Sequence, residues 1–229
     1  MIKQDTDAKG IPLTHVHLAS KVGLPIPAFY VFITTVFLSI SMSIAYFAIY
    51  NTLNKPKFDK KIELLASFSL GWLYIGSYVL KLGQLIQGIR LGQARSQSKA
   101  ALPDQHVYKV QGAAGSSLGY VLMENEGDHG VFNRAQRAVQ NYNEQFPLFV
   151  LYFVLASFVF PFEAFSLACG WAATKVLSTM GYTAAVDSRM PGTVLSIFCV
   201  GTLEALVLIS GVGAIQAEAE QLRKARRLF

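Results

Sequence analysis

The sequence predicts an all-α integral membrane protein with five spanning helices. Two observations carry this prediction. Of the 229 residues, 52% are hydrophobic, and they gather into long runs with few charges, a pattern foreign to a soluble domain of this size. Between the runs lie clusters of Pro, Gly and charged residues, which give each run defined ends. The net charge of +6 falls in short clusters beside the apolar runs. That distribution suits anionic lipid headgroups and argues against a nucleic-acid partner. Cys169 and Cys199 each sit inside an apolar run and read as small buried hydrophobes, with neither disulfide nor metal spacing. His15, His17, His106 and His129 are scattered through polar segments, so no metal site is expected.

Residues 1–21 are polar and mixed in charge, without the pattern of a cleaved leader or transit segment. Pro25 and Pro27 mark the start of the first span. Residues 28–50 carry no charge and reach about 35 Å as a helix, enough to cross a bilayer. Tyr30, Tyr46 and Tyr50 near its ends fit the aromatic belt. A basic link follows, with Lys55, Lys57, Lys60, Lys61 and the breaker Pro56. The second span is expected over 62–89, interrupted by Glu63 and Lys81, with helix continuing to Arg95. Ser67, Gly71 and Ser77 offer close helix contact there.

Residues 96–130 read as a long polar loop with room for a short helix or hairpin. It contains Pro103-Asp104, the glycine-rich GAAGSSLG and the acidic ENEGD. The third span is expected over 133–160, with Pro147 inside it and a kink there. Pro161, Phe162 and Glu163 form a tight turn. The fourth span covers 164–186 with Lys175 at mid-depth, and the fifth covers 193–215 with Glu204 near its middle. The chain therefore divides into an N-terminal extension (1–61), a four-helix body (62–215) and a basic tail (216–229) that carries Arg223, Lys224, Arg226 and Arg227. Basic residues divide almost evenly between the two sides, so the positive-inside rule sets no orientation.

The chemistry concentrates in FNRAQRAVQNYNEQFPLF, residues 132–149. Arg134, Arg137, Asn141 and Glu144 are spaced three, four and three apart, which aligns them on one helical face. The apolar run begins at once, so this stripe enters lipid depth. Each ionisable group there costs roughly 2.5 to 3.5 kcal/mol unless it is paired. A sequence that accepts the cost repeatedly is building a site; the alternative is a helix end whose arginines meet headgroups, with Glu144 pairing Arg137 internally. Lys175, Ser178 and Tyr182 are three and four apart and share a face on the next helix, with Arg189 two turns beyond.

Two of these stretches resemble the MAPEG family, the membrane-associated proteins in eicosanoid and glutathione metabolism. Arg137, Ala138, Asn141, Glu144 and Pro147 match its pattern R-A-x-x-N-x-x-E-x-x-P, and Tyr182 and Arg189 in GYTAAVDSRMPG match its Tyr-then-Arg element. Ala94-Arg95 is similar to the pair that closes the family's first helix. The likeness covers about 64–213 and is nearest to the microsomal glutathione transferase and leukotriene synthase branch. It implies a MAPEG-like four-helix bundle that assembles as a homotrimer, with glutathione between neighbouring subunits. By the same resemblance, the 28–50 helix is one additional N-terminal transmembrane helix.

The resemblance also implies roles. Glutathione carries two carboxylates, an ammonium and a thiol. Arg95, Arg134 and Arg137 suit its carboxylates through charge-assisted bonds, Glu144 its ammonium, Asn141 its peptide, and Tyr182 completes the set. Arg189 takes the catalytic position, where a fixed cation favours the nucleophilic thiolate. The sequence departs from the family at Asn133 and Val139, at Gln145 where an aromatic is common, at Ser96 beside Arg95, and at Lys175 in place of an arginine. The implied activity is a glutathione-dependent membrane transferase or peroxidase acting on lipophilic electrophiles. The alternative is a non-catalytic MAPEG-fold accessory subunit of a larger, heteromeric membrane complex, for example an organellar, energy-transducing one. A third reading uses Lys81, Lys175 and Glu204 as an intramembrane relay, against simple pairing of Lys175 with Glu204. The sequence does not distinguish the endoplasmic reticulum from a mitochondrial or plastid membrane.

Overall fold

The computed structural model describes residues 18–100, 106–110 and 121–226. A single helical turn, α1 (Leu18–Lys21), leads into α2 (Ile26–Ile44), which widens into a π-helical stretch over Ala45–Tyr50. Next come α3 (Lys55–Ser67), α4 (Gly71–Ser98), the strands β1 (Tyr108–Val110) and β2 (Val121–Met123), and α5 (Gly127–Ser157). The chain closes with α6 (Pro161–Ala184), a 3-10 turn at Asp187–Arg189 and the long α7 (Met190–Arg226). His15, His17, Pro103-Asp104, the GAAGSSLG stretch and Arg227 lie outside the described residues. The architecture is all-α. The two strands form an antiparallel hairpin inside the polar loop, with Lys109 opposite Leu122.

Ile26–Tyr50, with mean hydropathy 1.9, and Asp187–Ala225, with mean hydropathy 2.1, are long and apolar enough to cross a membrane on their own. α5 and α6 have 31 and 24 residues, sufficient length at 1.5 Å per residue. Their buried aromatic and small residues, among them Phe149, Phe153, Ala168 and Trp171, place them in the bundle. α5 runs unbroken through Pro147, so the sequence-based kink does not end the helix.

The second span differs from the expectation. Residues 62–89 are not one helix: α3 stops at Ser67, and α4 leaves at 92° to it. The corner turns on Ser69, whose φ is 55°, in the left-handed region that usually takes glycine. The close contacts of α4 also sit elsewhere than predicted. A Cβ on Gly71 would meet nothing, whereas one on Gly83 would lie 3.3 Å from the Ala172 Cβ, and one on Gly76 would clash with the Phe153 ring at 2.5 Å. Ser67 and Ser77 bond only to carbonyls of their own helices.

Helices α4, α5, α6 and α7 pack around Trp171, which is fully buried. The Phe149 ring stacks on it at 4.1 Å, and the Tyr142 ring lies at 5.1 Å. Leu80, Phe153, Ala156, Ala164, Ala168, Ala172 and Leu203 complete this core. Tyr142 donates its hydroxyl to the Leu80 carbonyl at 3.2 Å, which satisfies the one polar atom it brings inside. The loop is tied to the bundle by Asn133. Its side chain accepts from the Val107 N–H at 2.9 Å and donates to the carbonyls of Val107 at 2.7 Å and Glu124 at 2.8 Å. One buried amide thus holds both arms of the hairpin at the head of α5.

Candidate functional site

A cavity of ≈ 280 Å³ opens where α5, α6 and the start of α7 meet. Helical spacing supplies its walls. Asn141 and Gln145 are four apart on α5; Lys175, Ser178 and Tyr182 share a face of α6; Arg189 and Thr193 come from the following turn and α7. Two glycines draw that turn against α6. A Cβ on Gly181 would sit 2.1 Å from the Ser188 carbonyl oxygen, and one on Gly192 would sit 2.4 Å from the Ser178 nitrogen. Neither position has space for a side chain. This close approach sets the Arg189 guanidinium over the Tyr182 ring, 4.9 Å from its centroid.

Deeper in, Lys175 donates to the Gln145 side-chain oxygen, and its ammonium lies 5.6 Å from the centre of the Trp171 ring. The pairing of Lys175 with Glu204 expected from the sequence is therefore replaced by a neutral partner. An amide oxygen and an aromatic face relieve the desolvated ammonium without cancelling its charge. Ser178 and Thr193 hydroxyls meet at 3.0 Å across the α6–α7 seam. Behind the cavity, Thr179 donates to the Gln87 Oε1 at 3.0 Å. The lining residues thus include two cations, Lys175 and Arg189, and no carboxylate. Such a cavity favours an anionic or electron-rich group and can hold a thiolate or a carboxylate.

The sequence-derived candidates separate into two groups. Asn141, Tyr182 and Arg189 line the cavity. The other four stand outside it. Arg137 and Glu144 form an ion pair at 3.4 Å on the outer face of α5, with side chains 43% and 53% exposed. Arg134 donates to the Thr183 carbonyl at 3.2 Å and the Asn125 carbonyl at 2.7 Å, binding the ends of α6 and the loop to α5. Arg95 lies over the Phe132 ring at 4.7 Å and reaches the Ala100 carbonyl at 3.5 Å. Gln145 and Thr193 were not among the site residues expected from the sequence. Gln145 had a signal, since it stands one residue after Glu144 at a departure from the family pattern. Thr193 had none, because its place depends on how α7 leans on α6.

Residues 65–209 match the MAPEG family. The chain belongs to the MAPEG family. This MAPEG protein is accordingly an integral membrane protein of the group that serves glutathione and eicosanoid metabolism. Curated proteins supply no match to it. The family match opens at the last turn of α3 and closes within α7, so α2 and nearly all of α3 precede it.

Proposed function

We propose that the cavity of this MAPEG protein is the glutathione-activating half of a membrane transferase or peroxidase for lipophilic electrophiles, of the microsomal glutathione transferase type. The observation that carries this reading is the pair of cations, Lys175 and Arg189, in a cavity whose lining includes no carboxylate. Arg189, held over Tyr182, stands at the mouth and favours the thiolate over the thiol. Lys175, deeper, takes a carboxylate of the tripeptide, with Asn141 as a hydrogen-bond partner for its amide. The second wall is supplied by a neighbouring copy of the chain. Arg137 and Glu144, paired with each other and partly exposed on the outer face of α5, face that neighbour and meet the remaining charges of glutathione. In this arrangement Arg95 and Arg134 hold the loop and helix ends in place. The lipophilic substrate reaches the thiolate from the bilayer.

Arg189→Ala tests the reading. The purified protein in mild detergent is expected to form a homotrimer, to bind glutathione with ultraviolet thiolate absorbance, and to conjugate a chromogenic aryl halide. The variant is expected to lose the thiolate signal and roughly 10² to 10³ in turnover, the usual scale for removing one preorganised charge, while glutathione affinity falls less. Unchanged turnover in the variant sinks the assignment of Arg189.

One observation favours a second reading. Helix α2 has no buried residue, so a spanning helix added to the family bundle is free to meet foreign subunits. A single copy purifying with unrelated membrane proteins, without glutathione binding, replaces the enzyme reading with that of an accessory subunit.

A further inference from the structure

The link between α2 and α4 carries a feature that the family match does not cover. α2 is long and apolar enough to cross the membrane, and α3 with α4 is so only as one bent pair. With α4, packed in the four-helix bundle, taken as the returning span, its connection to α2 lies at a single bilayer surface. That connection is α3, set at 92° to α4. A helix perpendicular to a spanning helix at a membrane surface lies in the plane of the headgroups. Its sequence fits that place. Phe58, Ile62 and Leu65 fall on one stripe at spacings of four and three; Lys60 and Lys57 project away from it together with Leu64, and Lys61 flanks the stripe, three residues from Phe58 and four from Leu65. Lys55 is engaged by Asp59 at 2.7 Å. Lys57, Lys60 and Lys61 are exposed and have no ion pair among the described residues.

Among the described residues little protein underlies the apolar stripe: Phe58 and Leu65 are half-buried and Ile62 is exposed. α3 has no buried residue and makes no extended contact with another helix. α2 approaches α4 at the far surface, where the Tyr30 ring lies 3.3 Å from the place a Cβ on Gly92 would take. At the near surface α3, about 20 Å long at 1.5 Å per residue, carries the end of α2 away from the start of α4. α3 therefore stands between the end of α2 and the start of α4 at that surface. A cavity of ≈ 350 Å³ lies at the corner, lined by Ala66, Ser69 and Trp72.

We infer that α3 is a headgroup-level platform that binds anionic phospholipid, with Lys57, Lys60 and Lys61 on the phosphates and acyl chains packing under Phe58, Ile62 and Leu65. Charge decides for anionic over zwitterionic lipid, since each free lysine near such a surface adds roughly fivefold to binding. The apolar stripe places the helix in the interface plane.

Trp72 gives the readout. It stands at the corner, 41% exposed, whereas Trp171 is fully buried. The full-length protein is placed in phosphatidylcholine nanodiscs doped with brominated phosphatidylglycerol or, in parallel, brominated phosphatidylcholine. Quenching of Trp72 is expected to be several-fold stronger with the anionic lipid and to fall with salt. The variant carrying Lys57→Gln, Lys60→Gln and Lys61→Gln is expected to lose the preference by about tenfold or more. Lys99→Gln, at the end of α4 toward the opposite surface, is expected to keep it. Equal quenching by the two lipids overturns the proposal. So does a Phe58→Cys variant that forms a chain-to-chain disulfide the parent protein does not, because a second copy would then cover the apolar stripe.

Discussion

The bundle and the N-terminal helices solve the membrane problem in opposite ways. α2 is apolar nearly all round and buries nothing, with Phe37, Phe47 and Ile49 each more than half exposed. α5 and α6 carry charges and amides, yet hold the largest fully buried side chains among the described residues, Trp171, Tyr142, Phe132, Phe149 and Phe153. In lipid, apolar surface alone gives helices no reason to associate. Close backbone approach and interhelical hydrogen bonds do. α4, α5 and α6 have both, through Gly76, Gly83 and the Tyr142 and Thr179 hydroxyls. α2 touches the bundle where Tyr30 lies against Gly92. Hydropathy alone does not mark the helix that faces lipid: α7, at 2.1, packs into the bundle, whereas α2, at 1.9, buries nothing.

That contrast can be broken by substitution. Trp171→Ala empties the centre of the bundle and is expected to cost about 3 to 5 kcal/mol, read as a lower midpoint of unfolding in detergent. A small loss there would mean that the aromatic cluster is not what holds the four helices. Gly192→Ala inserts a methyl where the Ser178 nitrogen is 2.4 Å away. The expected cost is about 1 to 3 kcal/mol, together with displacement of Arg189 and weaker ligand binding. Stability lost with binding intact would separate the turn from the cavity.

Asn133→Ala removes three hydrogen bonds to the loop. The expected cost is about 1 to 3 kcal/mol for each buried group left unpaired, confined to faster amide exchange over 106–126. Global unfolding instead would make the hairpin part of the bundle. Phe37→Ala, at a position 65% exposed on α2, is expected to shift stability by no more than about 0.5 kcal/mol. A loss comparable with that of Trp171→Ala would abolish the distinction between the two regions.

The sequence by itself determined the membrane class, the helical composition and the grouping of polar residues into faces. These follow from run length and from the fixed period of the helix, which need no knowledge of neighbours. Arg137 and Glu144 fall seven residues apart, two turns along one face, and they meet. Tyr182 and Arg189 also meet, because the intervening turn is short and both ends carry glycine.

Three matters waited for the tertiary structure. The corner at Ser69 was illegible because a serine holds the left-handed position where a glycine would have announced the break. The partner of Lys175 depended on the rotation of α6 against α5 and α7, which aims the ammonium at Gln145 and away from Glu204. The division of the arginines between cavity and scaffold depended on where the loop returned: Asn125 and Ala100 present carbonyls that claim Arg134 and Arg95. Helical period places a side chain on a face. Only the packing of the other helices decides whether that face becomes wall, scaffold or lipid boundary.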